Sequence, residues 1–561
     1  MNYVRRQDKP FRMIATFMLA MAVLTLAEAT IPARAQTYKV VYTFGTDSAS
    51  DPIIPGSGPD FIAQGRDGNL YSTAQAGGTD NRGAAFKITP SGKETVLASF
   101  VFTNGLIPLG GLTLGTDGNL YGTSQLGGDS NCNQGYGCGT VFKITPGGVL
   151  TTLFIFPSDL SKGYYPYAAL TLGTDGNFYG TTGGNTGTVF KITPTGTLTT
   201  LHTFNGTDGN FIDSGLIQGT DGNFYGGSFG GGANLDGVVY KITPSGVFSV
   251  LHNFTGSDGN ASWSLIQAAD GNFYGATVAG GTSNAGVVFK ITPNGTYSVL
   301  YNLNGTTDGL NAYSSLVQAT DGNFYGVTDK GGTLGYGTIY KITPRGIYSV
   351  VHNFDNTNGA NPWSTLTQNT NGILYGDTFK GGKLTVCGTP GCGVVYSLDM
   401  GLKPFVSLVS TSGKEGVKIG ILGQGFSSSS VVEFGGVPAS SIKLTGKTFI
   451  SATVPTGALT GSVTVTTGAT KLTSNTTFRV TPTLLSFNPP SGPVGTPVMI
   501  MGTGLTQTTK VTFGGVAATS VTVNSDSQVT ANVPTGAVTG KIVIRTKGGH
   551  AASKTVFTVT Q

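Results

Sequence analysis

The stretch "ATDGNFYGVT", residues 319–328, returns in near copies along the chain, and its reading decides the fold. Its tyrosine falls at Tyr71, Tyr121, Tyr179, Tyr225, Tyr274, Tyr325 and Tyr375. Seven copies about fifty residues apart are the mark of a repeat architecture in which each unit leans on its neighbours. Within one unit, "SSLVQ" (314–318) reads as a short strand, "ATDGN" as a turn, "FYGVT" as a second strand and "DKGGTLGYG" as a loop. "TIYKI" is a third strand, "TPRG" a turn and "IYSVVHNF" (347–354) a fourth. Four antiparallel strands per unit make a propeller blade, and seven units make a seven-bladed β-propeller. Asp-Gly between β-runs supplies the positive φ angles of a two-residue hairpin turn, so "TDGN" is accounted for by geometry without any ligand. Equivalent residues of successive blades are rotated apart about the ring axis, and seven such aspartates do not converge on one ion.

The bulk composition agrees. Of 561 residues 89 are Gly, charged residues are 11%, and Glu occurs only four times, which leaves almost none of the residues that fill surface helices. An all-β chain follows. The formal net charge of +5 is small for this length, and the 32 Lys and Arg form no run or aromatic-interleaved stripe. Nucleic acid is therefore not an expected partner.

Residues 1–35 read as a signal peptide. Arg5, Arg6, Lys9 and Arg12 precede the apolar run Met13 to Leu26, and Ala33 and Ala35 stand before Gln36 as the small residues a signal peptidase reads. Export to the periplasm, the cell surface or the medium is expected, with no membrane span, because the run is too short to cross a bilayer. The mature chain is expected as a monomer. Only six of the seven third strands are followed by a fourth, since "GVVYSL" (393–398) runs straight into "DMGLKP". "TYKVVYTF" (37–44) has the pattern of "IYSVVHNF" and is expected to complete the last blade, closing a propeller over 37–400 and leaving no free sheet edge.

After Lys403-Pro404 the period changes. "GQGFSSSSVVEFGG" with "SATVPTGALTGSVTV" returns as "GTGLTQTTKVTFGG" with "TANVPTGAVTGKIVI", giving two β-sandwich modules over 404–481 and 482–561. Through "GxGF" (423–426), "GxGL" (502–505), "FGG" (434–436 and 513–515) and "VPTG" (454–457 and 533–536), the pair resembles the IPT/TIG family of Ig-like domains. That resemblance implies spacer, adhesion or accessory roles. The sevenfold array resembles the GloVer tandem repeat, whose pattern DGNxYGTT…GG…GTVFKITPxG…LxxF is met nearly in full by residues 175–204 and 321–354. The resemblance implies an exported bacterial protein and carries over no catalytic residue. The seventh unit departs most, with Asn371 for the turn Asp.

Several constellations invite a chemical reading. Cys132 with Cys138 and Cys387 with Cys392 lie in loops between second and third strands; in an exported chain they are expected as two local disulfides. A zinc site from all four thiolates is disfavoured because blade one separates their blades. His202, His252 and His352 occupy one repeated position on three fourth strands and are expected far apart at the rim. Ser228 within "GGSFG" matches a hydrolase motif but lacks the strand-turn-helix setting of a nucleophile elbow. Asp208, Asp258 and Asp308, with Asn358 continuing the series, were weighed between calcium ligands and loop caps, and loop caps are preferred, so no cofactor is expected.

The segments that vary in length all emerge on the face opposite the "TDGN" and "TPxG" turns, and variable loops on a rigid frame are where binding concentrates. Near the start of the innermost strands stand Tyr167, Trp263, Tyr313 and Trp363. Set as aromatic platforms for sugar rings, they make a glycan or a surface protein the expected partner of a non-catalytic binding protein. The rival for the same four rings is packing between blades. The rival for the whole ring is a polysaccharide lyase or hydrolase with its site in the central funnel.

Overall fold

In a computed structural model of the protein, the structure describes residues 36–45, 52–55, 62–184, 187–382 and 391–561, with the side chains of residues 53–55 and of Trp263 excepted. The signal-peptide segment lies outside the described residues. The fold is all-β: a seven-bladed propeller followed by two Ig-like sandwiches. The one helical turn among the described residues is the 3-10 turn Asn133–Gly135.

Blade 6 shows the plan, with strands Val317–Gln318, Phe324–Thr328, Thr338–Ile342 and Tyr348–Asn353 paired in that order from the axis outwards. Both turn motifs enclose three residues, not the two expected. In blade 1, Gly65 N–H bonds Asn69 O at 2.8 Å and Gly68 N–H bonds Gly65 O at 3.0 Å, with only Gly68 at positive φ (81°). This is a type I turn closed by a left-handed glycine, which leaves the Asp in ordinary right-handed space and frees its carboxylate for other work. Asp67 accepts from Asn69 N–H at 3.1 Å, from Asn69 Nδ2 at 2.7 Å and from Tyr71 Oη at 2.8 Å. In blades 4 and 5 the third-strand lysine joins: Lys241 Nζ lies 2.9 Å from Asp221, and Lys290 Nζ 3.1 Å from Asp270. Burial works to raise the Asp270 carboxyl, but bonds from Asn272, Tyr274 and Lys290 outweigh it and hold the group at about 2.

The same motif builds the core between blades. The Tyr ring of one blade stacks on the Phe of the next, with centroids 4.0 Å apart for Tyr121 and Phe178, 3.8 Å for Tyr179 and Phe224, and 4.0 Å for Tyr225 and Phe273. The glycine after the tyrosine makes room within the blade. A Cβ at Gly180 would stand 2.5 Å from Phe190 Cζ and 2.8 Å from Leu170 Cδ2. "FYG" thus encodes an inter-blade stack, a turn anchor and a packing notch in three residues.

The last blade is completed by Thr37–Thr43, antiparallel to Val394–Asp399 in the register Thr37↔Asp399 to Thr43↔Val394. Its bulge between Val40 and Tyr42 corresponds to the register shift at the outer strands of the other blades. Tyr38 stacks on His352 at 3.8 Å, as Phe248 does on His202 at 4.0 Å and Tyr297 on His252 at 3.9 Å. Its hydroxyl donates to Asn358 O at 2.6 Å, as that of Tyr297 does to Asp258 O at 2.6 Å.

The two sandwiches share one strand order. In the first, Ser407–Leu408, Lys418–Leu422, Phe449–Thr453 and Ser441–Thr445 form one sheet, facing Ser412–Gly413, Thr470–Val480, Gly461–Thr467, Val431–Phe434 and Val437–Pro438. The second repeats this arrangement from Thr483 to Val559. The first module is docked against the turn face of the ring. Arg66 lies over the Phe449 ring at 4.4 Å, Thr448 Oγ1 donates to Arg66 O at 2.7 Å, and Gln424 Nε2 donates to Thr370 Oγ1 at 2.9 Å. Arg479 also bonds Thr220 O. An open cleft of about 810 Å³ lies between the inner strands of blades 4 to 7 and Thr411, Thr460, Arg479 and Lys547 of the modules. One mouth of the ring is therefore covered.

Candidate binding face

The opposite face is built from the loops that follow each second strand and from the crossings between blades. In each of the six described crossings one residue adopts left-handed φ: Ile107 (53°), Tyr165 (56°), Phe211 (50°), Ala261 (60°), Asn311 (59°) and Asn361 (52°). The backbone explains the recurrence, since the N–H bonds a loop carbonyl of the preceding blade, as Tyr165 does to Cys138 O at 3.0 Å and Asn361 to Tyr336 O at 3.0 Å. The C=O accepts from the residue that ends the second strand of its own blade, as Phe211 O does from Phe229 N–H at 3.1 Å. The bend is a property of the fold; the side chain displayed at it is a choice of the sequence.

Of the four aromatic residues expected as platforms, Tyr313 and Trp363 come together with ring centroids 5.6 Å apart, and Trp363 stacks on Phe379 at 4.5 Å. The indole Nε1 donates to Asp329 Oδ1 at 2.6 Å, where Asn361 Nδ2 also donates at 2.9 Å. Burial raises the Asp329 carboxyl, against the bonds from Trp363 and Asn361. This sector is wedged between blades 6 and 7. Tyr167 stands on blade 3, its hydroxyl accepting from Gln125 Nε2 at 2.8 Å. Trp263 falls in the strand Asn260–Gln267. Tyr167 thus stands on a different blade from Tyr313 and Trp363.

Beside Tyr167 lies Asp213, which sequence reasoning passed over. A Cβ at Gly183 would meet Asp213 Oδ1 at 2.4 Å and Tyr167 Cε2 at 2.7 Å, so the two side chains flank one notch. Burial pushes the Asp213 carboxyl up to about 6, and its Oδ1 has no hydrogen-bond partner among the described residues.

The exposed aromatic residues were also missed. Among the described residues the strongly exposed ones are Tyr136, Phe211, Phe229 and Tyr336, and all four lie on this loop face. Tyr136 is held by the loop that the Cys132–Cys138 disulfide closes, with Cα atoms 5.6 Å apart. Cys392 is buried, and Cys387 lies outside the described residues.

The remaining constellations resolve into structure. His202 Nε2 is 2.9 Å from Asp208 Oδ2 and His252 Nε2 is 3.0 Å from Asp258 Oδ2, while Asp308 accepts from Tyr301 Oη at 2.8 Å. The same aspartates cap backbone N–H groups of Asn205, Thr255 and Asn304. The histidines are partly exposed, as expected at the fourth strands, and each is stacked on an aromatic ring. Ser228 is fully buried and bonds Gly230 O at 2.9 Å. No group of three or more His, Cys, Asp or Glu side chains gathers around a common point among the described residues.

A sequence profile described as "Gloeobacter/Verrucomicrobia repeat" matches residues 30–227 and 212–425, the whole of the ring. The chain belongs to the Gloeobacter/Verrucomicrobia repeat family. An IPT/TIG profile matches residues 482–559 of this Gloeobacter/Verrucomicrobia repeat protein, and the preceding module shares that strand order. None of the curated proteins matches it. Among solved structures it is similar to the extracellular domain of the putative hybrid two-component system BT3049 from B. thetaiotaomicron, at 13% identity and a TM-score of 0.43, over 93% of this chain and 56% of that one. It is also similar to SGBP-B from a complex xyloglucan utilization locus in Bacteroides uniformis, at 21% identity and a TM-score of 0.15, over 27% of this chain and 48% of that one. A fungal alcohol oxidase of the AA5 family, in complex with copper, is similar at 12% identity and a TM-score of 0.42, over 91% and 99%. The chain spans about half the length of the first two. Likeness this loose carries no argument about ligand or activity. No helix among the described residues is long and apolar enough to cross a membrane.

Proposed function

We propose that this Gloeobacter/Verrucomicrobia repeat protein is an exported, non-catalytic binding protein that recognises a glycan, or a surface protein, through the loop face of its ring. One observation carries the reading: the strongly exposed aromatic side chains among the described residues are gathered on the one face that the sandwich leaves uncovered. Exposed rings on a rigid frame offer binding area with little entropy to lose. The two Ig-like modules act as an accessory unit that covers the other mouth. The test presents the full chain to arrayed polysaccharides and to intact cell envelopes. Saturable binding is expected, and the absence of binding to both would sink the reading.

A second reading, a polysaccharide lyase or hydrolase, is favoured by Asp213 alone. A carboxyl pushed up to about 6 by burial beside a tyrosine is the kind of group that serves as a general acid. Turnover of any polysaccharide by the purified chain, lost in Asp213→Asn, would establish it.

A further inference from the structure

The left-handed position of the blade crossings is not filled evenly. Blades 6 and 7 place Asn311 and Asn361 there, and Asn tolerates this conformation best after Gly. Asn361 also uses its amide, bonding Asp329. Blades 2, 3 and 4 place Ile107, Tyr165 and Phe211 there, bulky residues in a conformation that strains them, and of these only Phe211 is exposed, to 41%. Strain of this kind persists where the displayed side chain is needed.

Phe211 lines a cleft of about 570 Å³ at the junction of blades 4 and 5, within the range of about 300–1,000 Å³ common for ligand sites. Phe229 and Leu235 provide its other apolar surfaces, 40% and 76% exposed. Leu235 is itself held at a left-handed φ of 65°. Asn205, Asn210 and Asn260 stand at the edges. Each is oriented by one end of its amide: Asn205 Oδ1 accepts from Thr207 N–H at 3.0 Å, Asn210 Oδ1 from Phe211 N–H at 2.8 Å, and Asn260 Nδ2 donates to Asp236 Oδ1 at 2.6 Å. The other ends, two NH2 groups and one carbonyl, remain for a ligand. The rest of the lining is glycine and Thr207, with no ionisable side chain among the described residues.

We infer that this cleft is the ring's ligand site and that it takes a neutral oligosaccharide. Two aromatic rings match the apolar faces of sugar rings, pre-oriented amides match their equatorial hydroxyls, and the absence of any charged group in the lining selects against uronates and sulfated sugars. The inference rests on the glycan reading above and deepens it by placing the contact in blade 4, away from Trp363 and Tyr313.

The test titrates the full chain with cellohexaose, xylohexaose, mannohexaose, laminarihexaose and an acidic probe, hexagalacturonate, and compares it with Phe211→Asn and Phe229→Ala. Asn relieves the left-handed strain, so Phe211→Asn is expected to leave Tm unchanged or raise it by about 1–2 °C while affinity for a neutral hexaose falls at least about tenfold. A fall in affinity with a retained Tm marks a contact residue, which a merely structural role would not produce. If the chain binds a neutral hexaose and both variants bind it equally well, the cleft is not the site, although the glycan reading stands. Preference for hexagalacturonate would overturn the neutral-ligand assignment, and no binding of any probe at millimolar concentration would overturn the cleft and the glycan reading together.

Discussion

Gln64 and Thr370, 306 residues apart, exchange two hydrogen bonds across the junction of the first and last blades: Thr370 N–H donates to Gln64 Oε1 at 3.0 Å, and Gln64 Nε2 donates to Thr370 Oγ1 at 2.8 Å. The contact is one instance of a device that four other blades share. The glutamine ending an inner strand accepts from the turn of the preceding blade at Gln218 to Thr174 (2.9 Å), Gln267 to Thr220 (2.7 Å), Gln318 to Ala269 (2.9 Å) and Gln368 to Thr320 (3.0 Å). Thr370 adds two bonds from the first sandwich, accepting from Gln424 Nε2 at its hydroxyl and from Phe405 N–H at its carbonyl, 3.1 Å away. It joins three parts of the chain.

Gln64→Ala removes both bonds and strands the buried Thr370 N–H. A loss of about 1–3 kcal/mol is expected from denaturant unfolding. Gln64→Leu, the residue type that blades 2 and 3 carry at Leu114 and Leu172, is expected to cost less. A loss below about 0.5 kcal/mol in both variants would show that the bonds do not contribute.

Asp377 occupies the position where Thr73, Thr123 and Thr181 donate to inner-strand carbonyls of the next blade, such as Ala168 O at 3.0 Å from Thr123. Burial pushes its carboxyl up to about 7 from 3.8. The folded chain therefore binds this proton more tightly than the unfolded chain, so stability is highest below about pH 4 and falls as pH rises towards 7. Asp377→Asn should raise stability at pH 8, on the order of 3 kcal/mol, and change it little at pH 4. A shift of the same size at both values would refute the account.

Phe449→Ala takes away the ring beneath Arg66 and is expected to loosen the first sandwich from the turn face. Small-angle scattering should then report a larger radius of gyration, and proteolysis should cut sooner near Lys403. An unchanged scattering profile would mean that the bonds of Thr448 and Gln424 suffice.

Trp363→Ala leaves Asp329 short of a donor and opens a gap between Phe379 and Tyr313. A stability loss of about 2–3 kcal/mol is expected for this half-buried indole. Any loss of binding in this variant should therefore track its loss of folded protein, whereas Phe211→Asn should lose binding without it.

The propeller and the sandwiches are legible because glycine and proline punctuate strands whose alternation is regular, and because each signal recurs. The same regularity hides what the repeats do to one another. The inner-strand glutamine reads as ordinary surface polarity in "LVQ", yet its partner sits a whole blade away. The Asp of "TDGN" reads as a turn former, while its carboxylate works on Tyr71 and, in blades 4 and 5, on a lysine. The aromatic pair Tyr313 and Trp363 was visible as chemistry with packing between blades as its rival, but nothing local announces Asp329 beneath the indole. Phe211 was invisible for a different reason. Its left-handed backbone recurs in the described crossings, its own N–H bonding Asn210 Oδ1 and its C=O accepting from Phe229 N–H, and only comparison with the five other residues at the same place shows that it alone is exposed.

The pairing of Thr37–Thr43 with Val394–Asp399 also sets a clock. At roughly 5–20 residues per second, a ribosome needs about 20–70 s to make the final blade after the first described strand has emerged. For that interval "TYKVVYTF" is an apolar ribbon with no sheet to join. The disc cannot shut during synthesis, and a chain of this design is best kept unfolded until translation of its ring is complete.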